Sequence, residues 1–165
     1  MNHPIENIKW IPAEELDANE YNPNVVYNQE LKLLALSIMT NGYIQPLLID
    51  QNNVIIDGFH RYSLALNHKG VRELTKGRVP CAVLELTMPE RMMLTVRINR
   101  AKGSHISIKM HDLVTALIKE HEIPAEEVAK QIGATRAEVN LLLMEGVFKK
   151  LDVQNHKYSK AWVPK

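Results

Sequence analysis

The stretch Ile56-Asp57-Gly58-Phe59-His60-Arg61-Tyr62 joins a short apolar run to a segment of helical character. A glycine at such a junction lets a ligand approach the backbone, and the amides at the start of a helix favour an anion. Arginine can bind two phosphate oxygens at once, and histidine can donate a further hydrogen bond. The pattern predicts a phosphate site at Asp57, Gly58, His60 and Arg61. An ordinary surface turn is the alternative that these residues leave open.

The elements around this turn predict an α+β fold. Apolar spacing indicates a helix from about 28 to 40, which Gly42 ends. Apolar runs at 46–49, 54–56 and 80–86 are typical of strands, and a helix is expected from Gly58 to about His68. Beyond Pro89 the pattern is helical, at about 89–100, 107–120, 124–132 and 135–148. We therefore expect a small mixed-sheet domain followed by an all-helical segment.

Composition sets the class of protein. The chain has 165 residues, of which 45% are hydrophobic and 24% charged, enough for a globular core. No signal peptide or long apolar run is present, which predicts a cytoplasmic protein without a membrane segment. The single cysteine, Cys81, lies in an apolar run and is expected to be a buried, inert thiol. The seven histidines lack the spacing of a metal motif, so no metal site is predicted.

Charge divides the chain unevenly. Residues 1–89 carry 7 Lys and Arg against 10 Asp and Glu, and residues 90–165 carry 13 against 9. The second half is only mildly basic, so any DNA contact should be weak without dimerisation or a partner. We divide the chain into a nucleotide-binding domain at 1–100, a helical segment at 101–150 and a polar tail at 151–165.

The segment upstream of the turn carries a resemblance to a known family. Asn41-Gly42-Tyr43-Ile44-Gln45-Pro46, followed by a strand and then by the Gly58-to-Arg61 turn, resembles the ParB/sulfiredoxin-like superfamily. That superfamily includes chromosome-partition CTPases, sulfiredoxins and a free-serine kinase. The resemblance implies that the two motifs lie side by side around the triphosphate of ATP or CTP, with Mg²⁺ as a candidate counter-ion. It assigns nucleotide contacts to Gly42, Gln45, Pro46, Gly58, His60 and Arg61.

Where this sequence differs from members of the superfamily, some of their enzymatic activities are excluded. Sulfiredoxins have their reactive cysteine immediately before the His-Arg pair, where this chain has Phe59. A phenyl ring is no nucleophile, which excludes sulfinic-acid repair. The serine-kinase branch needs an acidic base, for which Asp57, Glu30 and Glu20 are candidates. A small enzyme that performs phosphoryl transfer or nucleotide hydrolysis therefore stays open as an alternative function.

A third candidate segment is Val96-Arg97-Ile98-Asn99-Arg100-Ala101-Lys102-Gly103-Ser104-His105. Its cations and its Gly-Ser pair could close over phosphates, which adds Arg97, Asn99, Arg100, Ser104 and His105 to the predicted nucleotide site. In partition proteins a Glu-Asn-x-x-Arg motif lies here, and Val96 and Arg97 replace its first two residues. Metal-dependent CTP hydrolysis of the partition type is therefore in doubt. The alternative is a solvated helix end whose cations bind carbonyls.

A second resemblance, which covers more of the chain, is to a family of transcriptional regulators. Three segments are similar to the immunoglobulin-binding regulator B proteins. They are the 56–62 turn, Glu90-Arg91-Met92 with the 97–105 segment that follows it, and Tyr158-Ser159-Lys160-Ala161-Trp162. These are described as co-activators of prophage gene expression that accompany a protein related to phosphoadenosine-phosphosulfate reductases. The resemblance implies a transcriptional regulator with such a partner.

The helical segment contains a candidate helix-turn-helix. Residues 125–132 predict a helix that Gly133 ends, and Thr135-Arg136-Ala137-Glu138 has the pattern of a capping box that opens the next helix. Arg136 and Asn140 would then face base edges, and Thr135 a phosphate. These three residues are the predicted DNA contacts, made by a monomer or a homodimer. A purely structural helical hairpin is the alternative.

Overall fold

The computed structural model describes residues 3–18, 28–102 and 108–144. Its centre is a four-stranded mixed sheet in the order β1-β4-β2-β3. The central pair, β4 and β2, is parallel, and the two outer pairs are antiparallel. The strands are β1 (Lys9–Pro12), β2 (Leu47–Asp50), β3 (Ile55–Asp57) and β4 (Arg78–Leu84).

Seven α-helices accompany this sheet in the described ranges. Three of them belong to the sheet domain: α1 (Asn28–Asn41), α2 (Phe59–Asn67) and α3 (Lys69–Thr75). The other four follow β4: α4 (Met88–Ala101), α5 (Ile108–Lys119), α6 (Ala125–Ile132) and α7 (Arg136–Leu143). None of the helices so described is long and apolar enough to cross a membrane.

Among the strands and α-helices, β1 and α3 were not predicted from the sequence. β1 is a short edge strand, Lys-Trp-Ile-Pro, whose polar and apolar residues show no clear alternation. The helix expected to end near His68 ends at Asn67, and α3 begins directly after it. His68 makes this break, because its Nδ1 accepts a hydrogen bond from the Val71 amide at 3.3 Å and so caps α3.

The buried side chains form a sheet core and a helical core. Leu47, Ile49, Ile55 and Cys81 are among the residues that fill the first. Cys81 is buried, as predicted, and burial raises the pKa of its thiol to about 12. In the second core, α5, α6 and α7 pack against residues of α4: Met92, Met93 and Val96.

A buried ion pair fixes α4 to the sheet. Arg91 Nη1 donates to Asp50 Oδ2 at 2.6 Å, and Asp50 is 2% exposed. The other carboxylate oxygen, Oδ1, accepts the amides of Asn52 and Val54 at 2.9 Å each. Since these partners satisfy both carboxylate oxygens, the charge is tolerated inside the protein. The start of α4 is thereby placed beside the hairpin that leads into the candidate site.

Candidate functional site

The turn between β3 and α2 has a backbone that only glycine adopts easily. Gly58 lies in the left-handed region, with φ 103° and ψ 20°. A Cβ atom at this position would lie 2.8 Å from Leu47 Cγ. No side chain caps α2. The amides of its first turn therefore stay available to an anion, as the sequence pattern predicts.

Arg61 joins this turn to the upstream Gly42–Pro46 loop. Its Nη1 donates to the carbonyl oxygens of Gln45 at 2.8 Å and Pro46 at 2.6 Å, and its Nη2 lies 3.4 Å from Asp57 Oδ2. A further hydrogen bond joins the loop to the turn, since the Tyr43 hydroxyl donates to the Arg61 carbonyl at 3.1 Å. The two motifs are therefore adjacent. Because the guanidinium already has three partners, Arg61 organises the site through the backbone of the neighbouring loop.

Tyr43 and Arg61 are both buried enough for their ionisation to change. Burial raises the pKa of Tyr43 to about 12, so its hydroxyl stays protonated and serves as a donor. Burial also lowers the pKa of Arg61, against the nearby charge of Asp57, and a guanidinium remains charged at neutral pH even so. The loop and the turn are thus held together by a neutral phenol and a cation.

His60 supplies a buried polar atom that lacks a partner. Its Nε2 is inaccessible and has no hydrogen bond to any residue in the described ranges. Burial lowers the pKa of His60, while the carboxylates of Glu30 and Asp57 act in the opposite direction. The net effect favours the neutral imidazole. Native proteins seldom leave such an atom unsatisfied, and a phosphate oxygen is a partner of the right chemistry.

Lys102 is one of the three cations of the 96–105 segment, but it was not among the predicted site residues. It lies at the end of α4, and its Nζ donates to Asp57 Oδ1 at 2.6 Å. Its side chain is 51% exposed, so the ammonium can exchange partners readily. Asn99, which was predicted, precedes it by three residues on the same side of α4 and is buried. The three-residue spacing of Asn99 and Lys102 is the sequence signal that could have pointed to Lys102.

The structure directs Arg97 and Arg100 to the helical segment instead. Arg97 Nη2 donates to Gln131 Oε1 at 3.3 Å. Arg100 Nη2 donates to the Gly133 carbonyl at 3.1 Å and lies 3.5 Å from Glu138 Oε1. Both residues thus behave as cations that bind polar groups at helix ends, as in the alternative interpretation of this segment. Ser104 and His105 lie outside the described residues.

The upstream loop lines a small cavity beside Arg61. Gly42 ends α1 with φ 76°, and its amide donates to the Ile38 carbonyl at 2.9 Å. The cavity measures about 220 Å³, and its walls include Gly42, Gln45 and Arg61. The structure therefore brings together Gly42, Gln45, Pro46, Asp57, Gly58, His60 and Arg61, with Lys102 at the edge.

The α6–α7 pair has the capping geometry expected of the candidate DNA-binding unit. Gly133 ends α6 with φ 65°, and the Thr135 hydroxyl accepts the Glu138 amide at 3.2 Å. Arg136 and Asn140 are exposed one turn apart on α7. Arg136 Nη1 lies 3.9 Å from Glu126 Oε1, a weak contact between exposed groups. The hydroxyl of Thr135 serves the cap, which leaves Arg136 and Asn140 as the outward-facing pair.

Residues 2–99 match the ParB N-terminal domain, and the chain belongs to this family. The predicted membership of the ParB/sulfiredoxin-like superfamily is thereby confirmed. The protein YbdM of Escherichia coli (strain K12) is 32% identical over 98% of this chain and 78% of YbdM. Nucleoid occlusion proteins of Bacillus species are more distant, at 24–27% identity. This chain spans just under half of their length, 44–46%.

Two solved structures share the fold. A Pnob8-like ParB-N domain superposes with a TM-score of 0.59 at 16% identity, over 92% of this chain and 75% of that one. ParB of Caulobacter crescentus, complexed to the centromeric parS site, gives a TM-score of 0.54 at 20% identity, over 88% and 78%. The α+β fold with a small mixed sheet is confirmed.

Proposed function

We propose that this chain is a nucleotide-responsive transcriptional regulator or co-activator, which binds ATP or CTP at the β3–α2 turn and contacts DNA through α7. One observation carries the nucleotide site: Arg61 locks the Gly42–Pro46 loop against an uncapped helix start, next to a buried His60 Nε2 without a partner. This arrangement offers several hydrogen-bond donors, and Lys102 and Arg61 offset the charge of the nearby Asp57 carboxylate.

The binding mode follows from these groups. The amides at the start of α2 donate to phosphate oxygens, and a rotation of the His60 side chain opens its Nε2, which is inaccessible in the structure, so that it donates as well. Lys102, which is half-exposed, exchanges Asp57 for a phosphate. No cluster of three or more His, Cys, Asp or Glu that could hold a metal occurs in the described ranges, so Mg²⁺ enters the proposal as the counter-ion of the triphosphate. Backbone contacts select the base, so that ATP and CTP both remain candidates.

The proposed DNA binding is supported by a solved ParB–DNA complex of the same fold and by two exposed residues of α7. A ParB of the same fold has been solved on its centromeric site, and the α6–α7 pair here exposes Arg136 and Asn140. Arginine can read guanine and asparagine can read adenine in a major groove. The small net charge, +1 for the whole chain, calls for added affinity from a homodimer or from a protein partner. We propose a cytoplasmic partner related to phosphoadenosine-phosphosulfate reductases.

Calorimetric titration with CTP, ATP, GTP and UTP tests the nucleotide site. We expect one nucleotide to bind, and we expect His60→Ala to weaken that binding while the fold is retained. Thr115→Ala, a substitution on α5 away from the turn, is the matched control. Equal affinity of wild type and His60→Ala, or no binding of any of the four nucleotides, would overturn the assignment.

A second function is favoured by one observation. The carboxylates of Glu30 and Asp57 both act electrostatically on His60, and Asp57 directly precedes the glycine of the turn. A carboxylate in that position could serve as a general base for phosphoryl transfer or nucleotide hydrolysis. Incubation with ATP or CTP and Mg²⁺, followed by analysis for released phosphate and nucleoside diphosphate, separates an enzyme from a nucleotide-responsive regulator. Loss of any turnover in Glu30→Gln would identify the base.

A further inference from the structure

A second groove, larger than the cavity beside Arg61, lies apart from the nucleotide site. It measures about 450 Å³, against about 220 Å³ for that cavity. It is formed where the exposed strand β1 meets the ends of α1 and α3, and its walls include Trp10, Met39, Tyr43, Leu74, Lys76 and Arg78. Of the proposed nucleotide contacts, Gly42 alone borders this groove, and it borders both cavities.

The groove has an apolar floor that is open to solvent. Trp10 is 49% exposed although its ring lies edge-on to Tyr43 at 6.1 Å between centroids. Met39 and Leu74 are 44% and 53% exposed. A continuous exposed surface of large apolar side chains is unusual on a monomer and marks sites where another molecule binds. Trp10 lines this surface, and tryptophan is among the residues most often found at binding hot spots.

The apolar surface continues along the outer side of α1. Leu33 and Leu36 are 67% and 62% exposed, and with Met39 they follow one another at intervals of three residues. At this spacing the three side chains form a stripe on one side of the helix that leads into the groove. Leu33 and Leu36 lie on the side of α1 away from the buried Ala35 and Ile38, whereas Met39 follows Ala35 by one turn and lies close to Gly70 of α3. The surface is long enough to receive an extended or helical segment rather than a single side chain.

The charge beside this surface is positive. Lys76 and Arg78 line the groove, and neither makes a salt bridge with any residue that the structure describes. Lys76 is also held in the left-handed region, with φ 54°, by the turn that ends α3. A lysine in this conformation costs about 1 kcal/mol relative to glycine. The ammonium is therefore presented at the groove from a fixed backbone position, beside an arginine two residues later.

We propose that this groove docks an acidic amphipathic segment of a partner protein. A bulky apolar side chain of the partner packs on Trp10, and its carboxylates pair with Lys76 and Arg78. A second copy of this chain fits less well, because a symmetric dimer would bring the same two cations of both copies face to face. The proposal is independent of nucleotide binding, since it uses the side of Tyr43 that contacts Trp10 and not the hydroxyl that contacts Arg61.

A display selection identifies the chemistry of the occupant. Random 16-residue peptides are selected on the full chain, and the recovered sequences are synthesised with a fluorescent label for anisotropy measurements. We expect the recovered peptides to combine bulky apolar residues with an excess of Asp and Glu. Recovery of peptides without this acidic bias, or failure to recover any binding peptide, overturns the proposal.

Variants locate the binding surface. We expect Trp10→Ala, and separately the double variant Lys76→Glu/Arg78→Glu, to weaken the recovered peptides at least 10-fold. The double variant Lys119→Glu/Lys130→Glu makes the same change of charge on α5 and α6, and it should bind as wild type does. Melting temperatures of all three variants show that the fold is retained. Equal binding by wild type and the Lys76→Glu/Arg78→Glu variant contradicts the proposal.

Sedimentation velocity distinguishes a second copy from a foreign segment. Self-association of the wild type that Trp10→Ala abolishes, with no recovered acidic peptide able to compete, would assign the groove to a homodimer and overturn the proposal. Nucleotide titration of the same variants keeps the two conclusions separate. We expect unchanged nucleotide affinity in Trp10→Ala and Lys76→Glu/Arg78→Glu, and a protein that binds no nucleotide can still bind the acidic peptide.

Discussion

Lys102 Nζ lies 2.6 Å from Asp57 Oδ1, and this contact ties the end of α4 to the turn between β3 and α2. The two residues are 45 positions apart in the sequence. Asp57 is 14% exposed, so its carboxylate is largely shielded, whereas half of the Lys102 side chain is in water. The pair therefore joins a fixed acceptor at the turn to a lysine that can move.

Lys102→Ala should weaken nucleotide binding strongly while it changes the free energy of unfolding only slightly. A pair with one exposed partner contributes less than about 1 kcal/mol to folding. A charged hydrogen bond to phosphate contributes about 1.5–3 kcal/mol, so we expect nucleotide affinity to fall roughly 10- to 100-fold. Calorimetry and urea unfolding measure the two quantities. Lys119→Ala, at the end of α5, is the control. A variant that loses stability but keeps its nucleotide affinity would show that the contact is purely structural.

Arg61→Ala should behave differently, because its guanidinium bonds to the backbone of the neighbouring loop. Loss of these two charged hydrogen bonds, one exposed and one partly buried, leaves the carbonyls of Gln45 and Pro46 without that donor. We expect unfolding in urea to show a loss of about 2–3 kcal/mol, and weaker nucleotide binding to accompany it. Arg72→Ala removes an arginine that pairs with Glu14 in an exposed contact, and it should cost less than about 1 kcal/mol. Equal losses for the two variants would show that Arg61 does not organise the site.

Two glycines with similar backbone angles provide a matched comparison. Gly42 and Gly58 have φ 76° and 103°, but a Cβ atom would meet Leu47 at 2.8 Å only at Gly58 and has open space at Gly42. We expect Gly42→Ala to cost about 1 kcal/mol from its backbone angle. Gly58→Ala adds steric overlap, for a total of roughly 2–4 kcal/mol. Chemical denaturation measures both, and a smaller cost at Gly58 than at Gly42 would contradict the packing described for the turn.

The pH dependence of stability should reveal the burial of His60. Its pKa is lowered in the folded protein, so the unfolded chain binds the proton more readily. The destabilisation is absent above the unfolded pKa of about 6.5, appears as pH falls below it, and levels off below the folded pKa. We expect wild type to lose more stability than His60→Gln between pH 7.5 and pH 5.5. His121→Gln is the control for loss of an imidazole, and an identical pH profile for His60→Gln and wild type would refute the prediction.

The DNA surface is tested by removing contacts and by removing an opposing charge. The Arg136→Ala/Asn140→Ala variant should bind a labelled promoter fragment more weakly and with a shallower salt dependence, because it lacks one cation. Glu126→Gln should bind more tightly, since Glu126 lies near Arg136 and would repel DNA phosphates. Anisotropy at several salt concentrations, with a scrambled duplex for comparison, measures both effects. If all three proteins bind alike, the α6–α7 pair is a structural hairpin.

The sequence predicted the elements whose apolar residues repeat regularly. The expected helix at 28–40 is observed at Asn28–Asn41, and the strands on either side of the 51–54 turn lie within one residue of their predicted positions. The short edge strand at Lys9–Pro12 carries no comparable periodicity. Site geometry was less accessible, because the partners of Arg61 and Lys102 are distant in sequence. Helical periodicity alone would have placed Arg97 and Arg100 on one side of α4, and Asn99 and Lys102 on the other.

Because α4 is part of the helical core, it limits where this chain can be joined to a related chain in a chimera. Met92, Met93 and Val96 complete a core whose other members lie in α5–α7, yet α4 also contacts β3 and carries the arginine that reaches Asp50. A chimera joined after residue 100 would supply the downstream helices with a foreign α4. Exchange of helical segments between relatives therefore requires a junction near Thr87, together with transfer of the Asp50–Arg91 pair. Without that transfer, one hybrid would bury the Asp50 carboxylate without its arginine, and the reciprocal hybrid would bury Arg91 without its carboxylate.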